Sequence, residues 1–155
     1  MEVPDNYNSN AYYNLPLDEF INTVKKCIEN GYTLTWDADV SNKGFRQAKG
    51  VALWVDNDAN ASAFPNFTEP NYTQEIRQNL FDKQVTQDDH LMQITGVAKD
   101  ENGKEYFIVK NSWGEVGPYK GYIYVSIPYF AINTISVVVN KKAVDKNEMD
   151  KLVMN

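Results

Sequence analysis

Two apolar segments, His90-Leu91-Met92-Gln93-Ile94-Thr95-Gly96-Val97 and Tyr106-Phe107-Ile108-Val109-Lys110, flank the turn sequence Asp100-Glu101-Asn102-Gly103. Acidic residues and Asn-Gly between two strand-length apolar runs are the signature of a β-hairpin. A hairpin centred on 100–103 brings its two open ends together, with His90 at one and Asn111 at the other. The pattern therefore places one imidazole and one carboxamide at the same end of a sheet. An Asn side-chain oxygen can accept the N–H of such a ring and fix its tautomer and orientation. Trp113, two residues beyond, is placed to screen that bond from water.

The flanking sequence completes an α+β pattern. Leu15-Pro16-Leu17-Asp18-Glu19 opens a helix, with proline in the first turn and two acids at the positive end. Leu17, Phe20, Ile21, Val24 and Ile28 form one apolar face, and Gly31 stops the helix. Cys27 is expected at the edge of that face. Strands are predicted over 32–37, 51–55, 90–98, 105–110, 121–127 and 134–139, with polar loops over 37–50 and 56–71. Val137-Val138-Val139 reads as a buried run. A short second helix is predicted from Asn71 to Asp82, with Gln74 in the capping-box position. The charged tail from 145 to 155 reads as a short helix or a frayed end. Helices first and a run of antiparallel strands after them point to a barrel-like sheet with an N-terminal helix. The 155 residues suit a single domain, 1–155.

Composition narrows the function. The net charge of −6 argues against a nucleic-acid partner. There is no apolar run long enough for a membrane span. The one cysteine cannot form an internal disulfide, and with the one histidine it does not make a common zinc site, so no metal or other cofactor is expected. Asp56-x-Asp58-x-Asn60 imitates the start of a calcium loop, but Ala61 and Phe67 stand where Gly and a bidentate Glu are needed. Asn60-Ala61-Ser62, Asn66-Phe67-Thr68 and Asn71-Tyr72-Thr73 match the glycosylation sequon and are read as loop composition. Asp88 and Asp89 are adjacent and do not make a catalytic carboxylate pair.

His90 before a strand, then Asn111-Ser112-Trp113-Gly114, then Gly121-Tyr122-Ile123-Tyr124-Val125, resembles the C-terminal signature of the papain-like cysteine peptidases. Lys110 to Glu115, Gly121-Tyr122 and Val137-Val138-Val139-Asn140-Lys141-Lys142 are similar to the aminopeptidase C/bleomycin hydrolase branch. So are Leu15 to Phe20 and Asp37-x-Asp39-Val40, and the likeness extends over residues 12–144. The resemblance implies a papain-like C-terminal half, a peptide substrate, His90 as general acid/base, Asn111 as its orienter and Trp113 as the shield. In that family a cysteine thiolate attacks the peptide carbonyl and the imidazolium protonates the leaving amine.

The family's nucleophile lies in a Gln…Gly…Cys-Trp segment of an N-terminal helical domain, a pattern that this sequence does not contain. Cys27 is a poor substitute, because the C-terminal end of a helix disfavours a thiolate. The chain thus reads as the His/Asn-bearing portion of a longer enzyme, inactive alone, with the Cys-bearing domain as missing partner. The resemblance further implies cytoplasmic location, with an upstream export signal left open. It also implies ring-like homo-oligomers; in that branch the C-terminal tail reaches the cleft, a role that carries over to Asp145–Asn155 only where Asn155 is the natural terminus. The alternative is a stand-alone, non-catalytic β-rich module that binds peptide or protein.

Overall fold

A computed structural model of the chain describes residues 12–146 and 149–150; the predicted tail beyond Asp150 and the irregular start before Tyr12 lie outside the described residues. The architecture is α+β. Helix α1 spans Leu17–Glu29, and strands β1 (Leu34–Ala38), β2 (Phe45–Arg46) and β3 (Val51–Ala52) follow. Then come α2 (Asp58–Ala63), α3 (Gln74–Asp82), β4 (His90–Lys99), β5 (Glu105–Lys110), β6 (Tyr122–Ser126), α4 (Ile127–Asn133) and β7 (Thr134–Val138). The seven strands form one sheet in the order β2-β3-β6-β5-β4-β1-β7. Every pairing is antiparallel except β3 with β6.

The hairpin forms as its turn residues require. Asp100 Oδ1 accepts the backbone N–H of Asn102 and of Lys104, both at 2.9 Å, and Gly103 takes a left-handed φ of 81°. A register shift between Ile94 and Gly96 puts one extra residue into β4. Lys110 then faces Gln93, and Asn111 falls just beyond the paired segment.

The core lies between the concave face of the sheet and helices α1 and α4. Leu17, Ile21 and Val24 of α1 meet Trp36, Ile94, Phe107, Val109, Ile123 and Val125 of the sheet. Phe130 sits at the centre, stacked on Phe20 at 5.6 Å and tilted against Phe107 at 4.6 Å and Trp36 at 5.7 Å.

Several expectations are corrected. The strand predicted over 121–127 forms as β6, but helix α4 stands between it and β7, where the sequence pattern gives no element, and takes Ile127 as its first residue. Ser126 caps it by accepting from Tyr129 N at 3.1 Å, with Pro128 in the first turn. Its residues are buried on every side, so the segment shows no amphipathic period. Helix α2 stands in the predicted loop 56–71. The calcium-like residues belong to its start: Asn57 caps Asn60 N, and Asp56 accepts from the amides of Asn57 and Asn60. Helix α3 begins at Gln74, with Thr73 as its cap. Gln74 makes no capping box; it accepts from Leu17 N at 2.9 Å and so caps α1 across the fold. The strand predicted over 51–55 pairs only at Val51–Ala52. Val137-Val138-Val139 is not a buried run: Val138 is 66% exposed, because β7 is an edge strand with one covered face. Cys27 lies inside the core rather than at its edge.

Candidate active site

His90 is the first residue of β4, and the loop before it is tied down by carboxylates. Asp89 accepts from Val40 N and Ser41 N, both at 3.0 Å. Buried Asp39 accepts from Ser41 N and, through its other oxygen, from Gln87 N, again at 3.0 Å. These bonds join 39–41 to 87–89 and set the direction in which His90 enters the sheet. They also occupy Asp89, so Asp88 and Asp89 do not act as a catalytic pair.

The structure brings the imidazole and the carboxamide together. His90 Nε2 lies 2.8 Å from Asn111 Oδ1. The same oxygen accepts the backbone N–H of Ser112 at 2.7 Å. Asn111 is only 2% exposed, and Trp113 packs its ring against the imidazole at 4.9 Å between centroids. The indole is itself held edge-on by Phe45 at 5.8 Å. Trp113 is 47% exposed, so one face covers the His–Asn bond while the other meets solvent.

The loop from Trp113 to Gly121 is folded tightly against this pair. Gly121 has φ of 85°, and a Cβ there would stand 2.1 Å from the carbonyl oxygen of Gly114, so only glycine fits. Gly121 O receives the N–H of Asn111 at 3.0 Å, which fixes the backbone that carries the carboxamide.

A residue not anticipated from the sequence completes the cluster. Gln47, in the predicted polar loop 37–50, is buried and accepts from Asn111 Nδ2 at 3.1 Å. The two residues are 64 positions apart with no motif joining them, so only the paired strands β3 and β6 reveal the contact.

The lone thiol is elsewhere in the design. Cys27 Sγ is fully buried on α1 and donates to Ala143 O at 3.5 Å. Core packing encloses it on all sides, which denies it the exposed, electropositive setting that a nucleophilic thiolate needs. Among the described residues no three His, Cys, Asp or Glu side chains gather as a metal site, and no helix is long and apolar enough to cross a membrane.

The same family resemblance emerges from comparison with known proteins. Residues 4–155 match the model of the Peptidase C1-like family. The chain belongs to that family. Aminopeptidase C of Streptococcus thermophilus is 30% identical to this Peptidase C1-like chain over 139 residues, which are 89% of the chain and 30% of the relative. Among solved structures, PepW from Lactobacillus rhamnosis is 24% identical, with a TM-score of 0.66 over 92% of this chain and 30% of that one. Bromelain from Ananas comosus gives a looser likeness: 22% identity and a TM-score of 0.44 over 81% of this chain and 46% of that one. The chain thus spans about 30% of the length of aminopeptidase C and of PepW.

Near the site, one carboxyl carries a burial penalty. Asp37 Oδ2 accepts from Ser136 at 3.3 Å, while its Oδ1 is buried without a hydrogen-bond partner among the described residues. Burial first, and the neighbouring Asp88 carboxylate next, push its pKa from 3.8 up to about 6. The folded state therefore holds this proton more tightly than the unfolded chain, and stability falls as pH rises from about 4 to about 6. Asp37→Asn is expected to gain on the order of 1 kcal/mol at pH 7 after allowing for solvent screening. Urea titrations should show the gain shrinking to nothing below pH 4; a gain that persists there would place its origin outside this carboxyl.

Proposed function

We propose that this chain is the His/Asn-bearing portion of a cysteine peptidase of the aminopeptidase C type. His90 serves as general acid/base, Asn111 orients it and Trp113 shields their bond. The observation that carries the proposal is the 2.8 Å contact between His90 Nε2 and the buried Asn111 Oδ1 under the Trp113 ring. With Nε2 donating to Asn111, Nδ1 is the ring nitrogen that turns to an incoming thiol. It takes the thiol proton as the thiolate forms, and the imidazolium returns a proton to the leaving amine once the thiolate has attacked the carbonyl.

The thiol comes from a Cys-bearing helical domain that is not this single domain. The exposed rings of Trp113, Tyr119 and Tyr122, with Val116 among them, support a covering partner on this face. They also support self-association of the chain when that partner is missing.

The isolated chain should neither hydrolyse aminoacyl fluorogenic amides nor be labelled by a thiol-directed epoxide, and Cys27→Ala should behave identically. Specific labelling with turnover by this chain alone would place the nucleophile at Cys27 and sink the assignment. Peptide binding that survives both His90→Ala and Asn111→Ala would favour a non-catalytic binding module instead.

A further inference from the structure

Resting on the reading of His90 and Asn111 just given, we infer that Gln47 is a positioning residue, whose side-chain amide sets the polarity of Asn111 and so decides which nitrogen of His90 holds its proton. Gln47 is 6% exposed and starts a single 3-10 turn, Gln47–Lys49. The turn is closed by Gly50, which donates its N–H to Gln47 O at 3.0 Å. Gly117 lies so close above that a Cβ there would stand 2.2 Å from Gln47 O. The Gln47 backbone is therefore clamped between its own turn and the loop that follows Trp113.

The side chain reaches three groups. Its Nε2 donates to Val116 O and to Tyr122 O, both at 3.3 Å, and its Oε1 accepts from Asn111 Nδ2 at 3.1 Å. The two carbonyls can only accept, so the Gln47 nitrogen must face them and the oxygen must face Asn111. Asn111 is then obliged to present its NH2 to Gln47 and its oxygen to the other side. At that side the backbone N–H of Ser112, which can only donate, meets the oxygen at 2.7 Å. Obligate acceptors at one end and an obligate donor at the other give the chain of amides one direction. His90 Nε2 at 2.8 Å is left facing an acceptor and must carry a hydrogen.

Ser112 alone would identify the oxygen, but it does not hold the other half of the carboxamide. In a side chain this buried, an unaccepted NH2 costs the full desolvation penalty, and rotation about χ2 becomes the way to relieve it. Gln47 removes that incentive. The same contact joins the 47–50 turn to the loop carrying Trp113, so the shield and the orienter share one anchor.

The chain has a single histidine, which makes the test direct. In ¹⁵N-labelled protein, the Nε2-bound proton of His90 is expected to be visible and protected from exchange. Gln47→Met keeps the length of the side chain and removes all three bonds; exchange of that proton should accelerate at least tenfold while the core amides of β4, β5 and β6 stay protected. If the Met variant does not fold, Gln47→Asn, one methylene too short to span the three groups, should give the same acceleration. An exchange rate within twofold of wild type in either folded variant overturns the role of Gln47, provided that Asn111→Ala abolishes the protection. Protection that survives Asn111→Ala overturns the pairing of His90 with Asn111 itself, and with it the reading on which the inference rests.

Discussion

His90→Ala is expected to lower kcat/KM for aminoacyl-amide hydrolysis by about 10²- to 10⁴-fold in the peptidase formed by joining this chain to a Cys-bearing helical segment. The imidazole is asked to do two things: take the thiol proton and return one to the amine. Neither is done by a methyl group. The loss should appear in kcat and not in thermal stability, because the ring is half-buried at the start of β4, packed on Trp113 and bonded to Asn111, and lies outside the core cluster. Asn111→Ala leaves the proton carrier in place but frees its orientation, a loss of about 10²-fold for a misplacement near 1 Å. Steady-state kinetics on the joined protein give both numbers. A His90→Ala enzyme within fivefold of wild type would remove His90 from the mechanism.

The largest effect on stability is expected from Phe130→Ala, about 3–5 kcal/mol. The ring is fully buried and meets Phe20, Trp36 and Phe107, one each from α1, β1 and β5. Deleting it removes the transfer energy of an aromatic side chain and leaves a cavity bounded by three elements that cannot all move inward. Val138→Thr at the exposed end of β7 serves as the reference and should stay within about 0.5 kcal/mol. Urea unfolding of the two variants decides the matter; a cost below 1 kcal/mol for Phe130→Ala would mean that α4 is not the keystone of the core.

What the sequence disclosed follows the reach of each interaction. The hairpin was legible because its turn residues and apolar runs lie within twenty or so positions of one another. Local register then sufficed to bring His90 to Asn111 and Trp113. The apolar face of α1 was legible because its period is written along one helix. Gln47 was not, since its partners Asn111, Val116 and Tyr122 lie 64 to 75 positions away. Helix α4 escaped for a different reason: a helix buried on every side has the same apolar monotony as a buried strand, and seven residues are too few to separate the two. Val138 shows the converse error, because three valines in a row give no sign that their strand ends a sheet.

The placement of β1 between β4 and β7 has a kinetic consequence. The indole of Trp36 donates to the hydroxyl of Thr134 at 2.8 Å, a contact between residues 98 positions apart. During synthesis at about 5–20 residues per second, β1 waits for about 5–20 s before its outer neighbour leaves the ribosome. Through that interval β1 can pair with β4 once the hairpin has emerged, yet its other edge stays bare, with the largest side chain of the core beside it. Strand β7 works as a latch that arrives last. A nascent chain stalled before residue 134 is therefore the form of this protein most open to pairing with a stranger's strand.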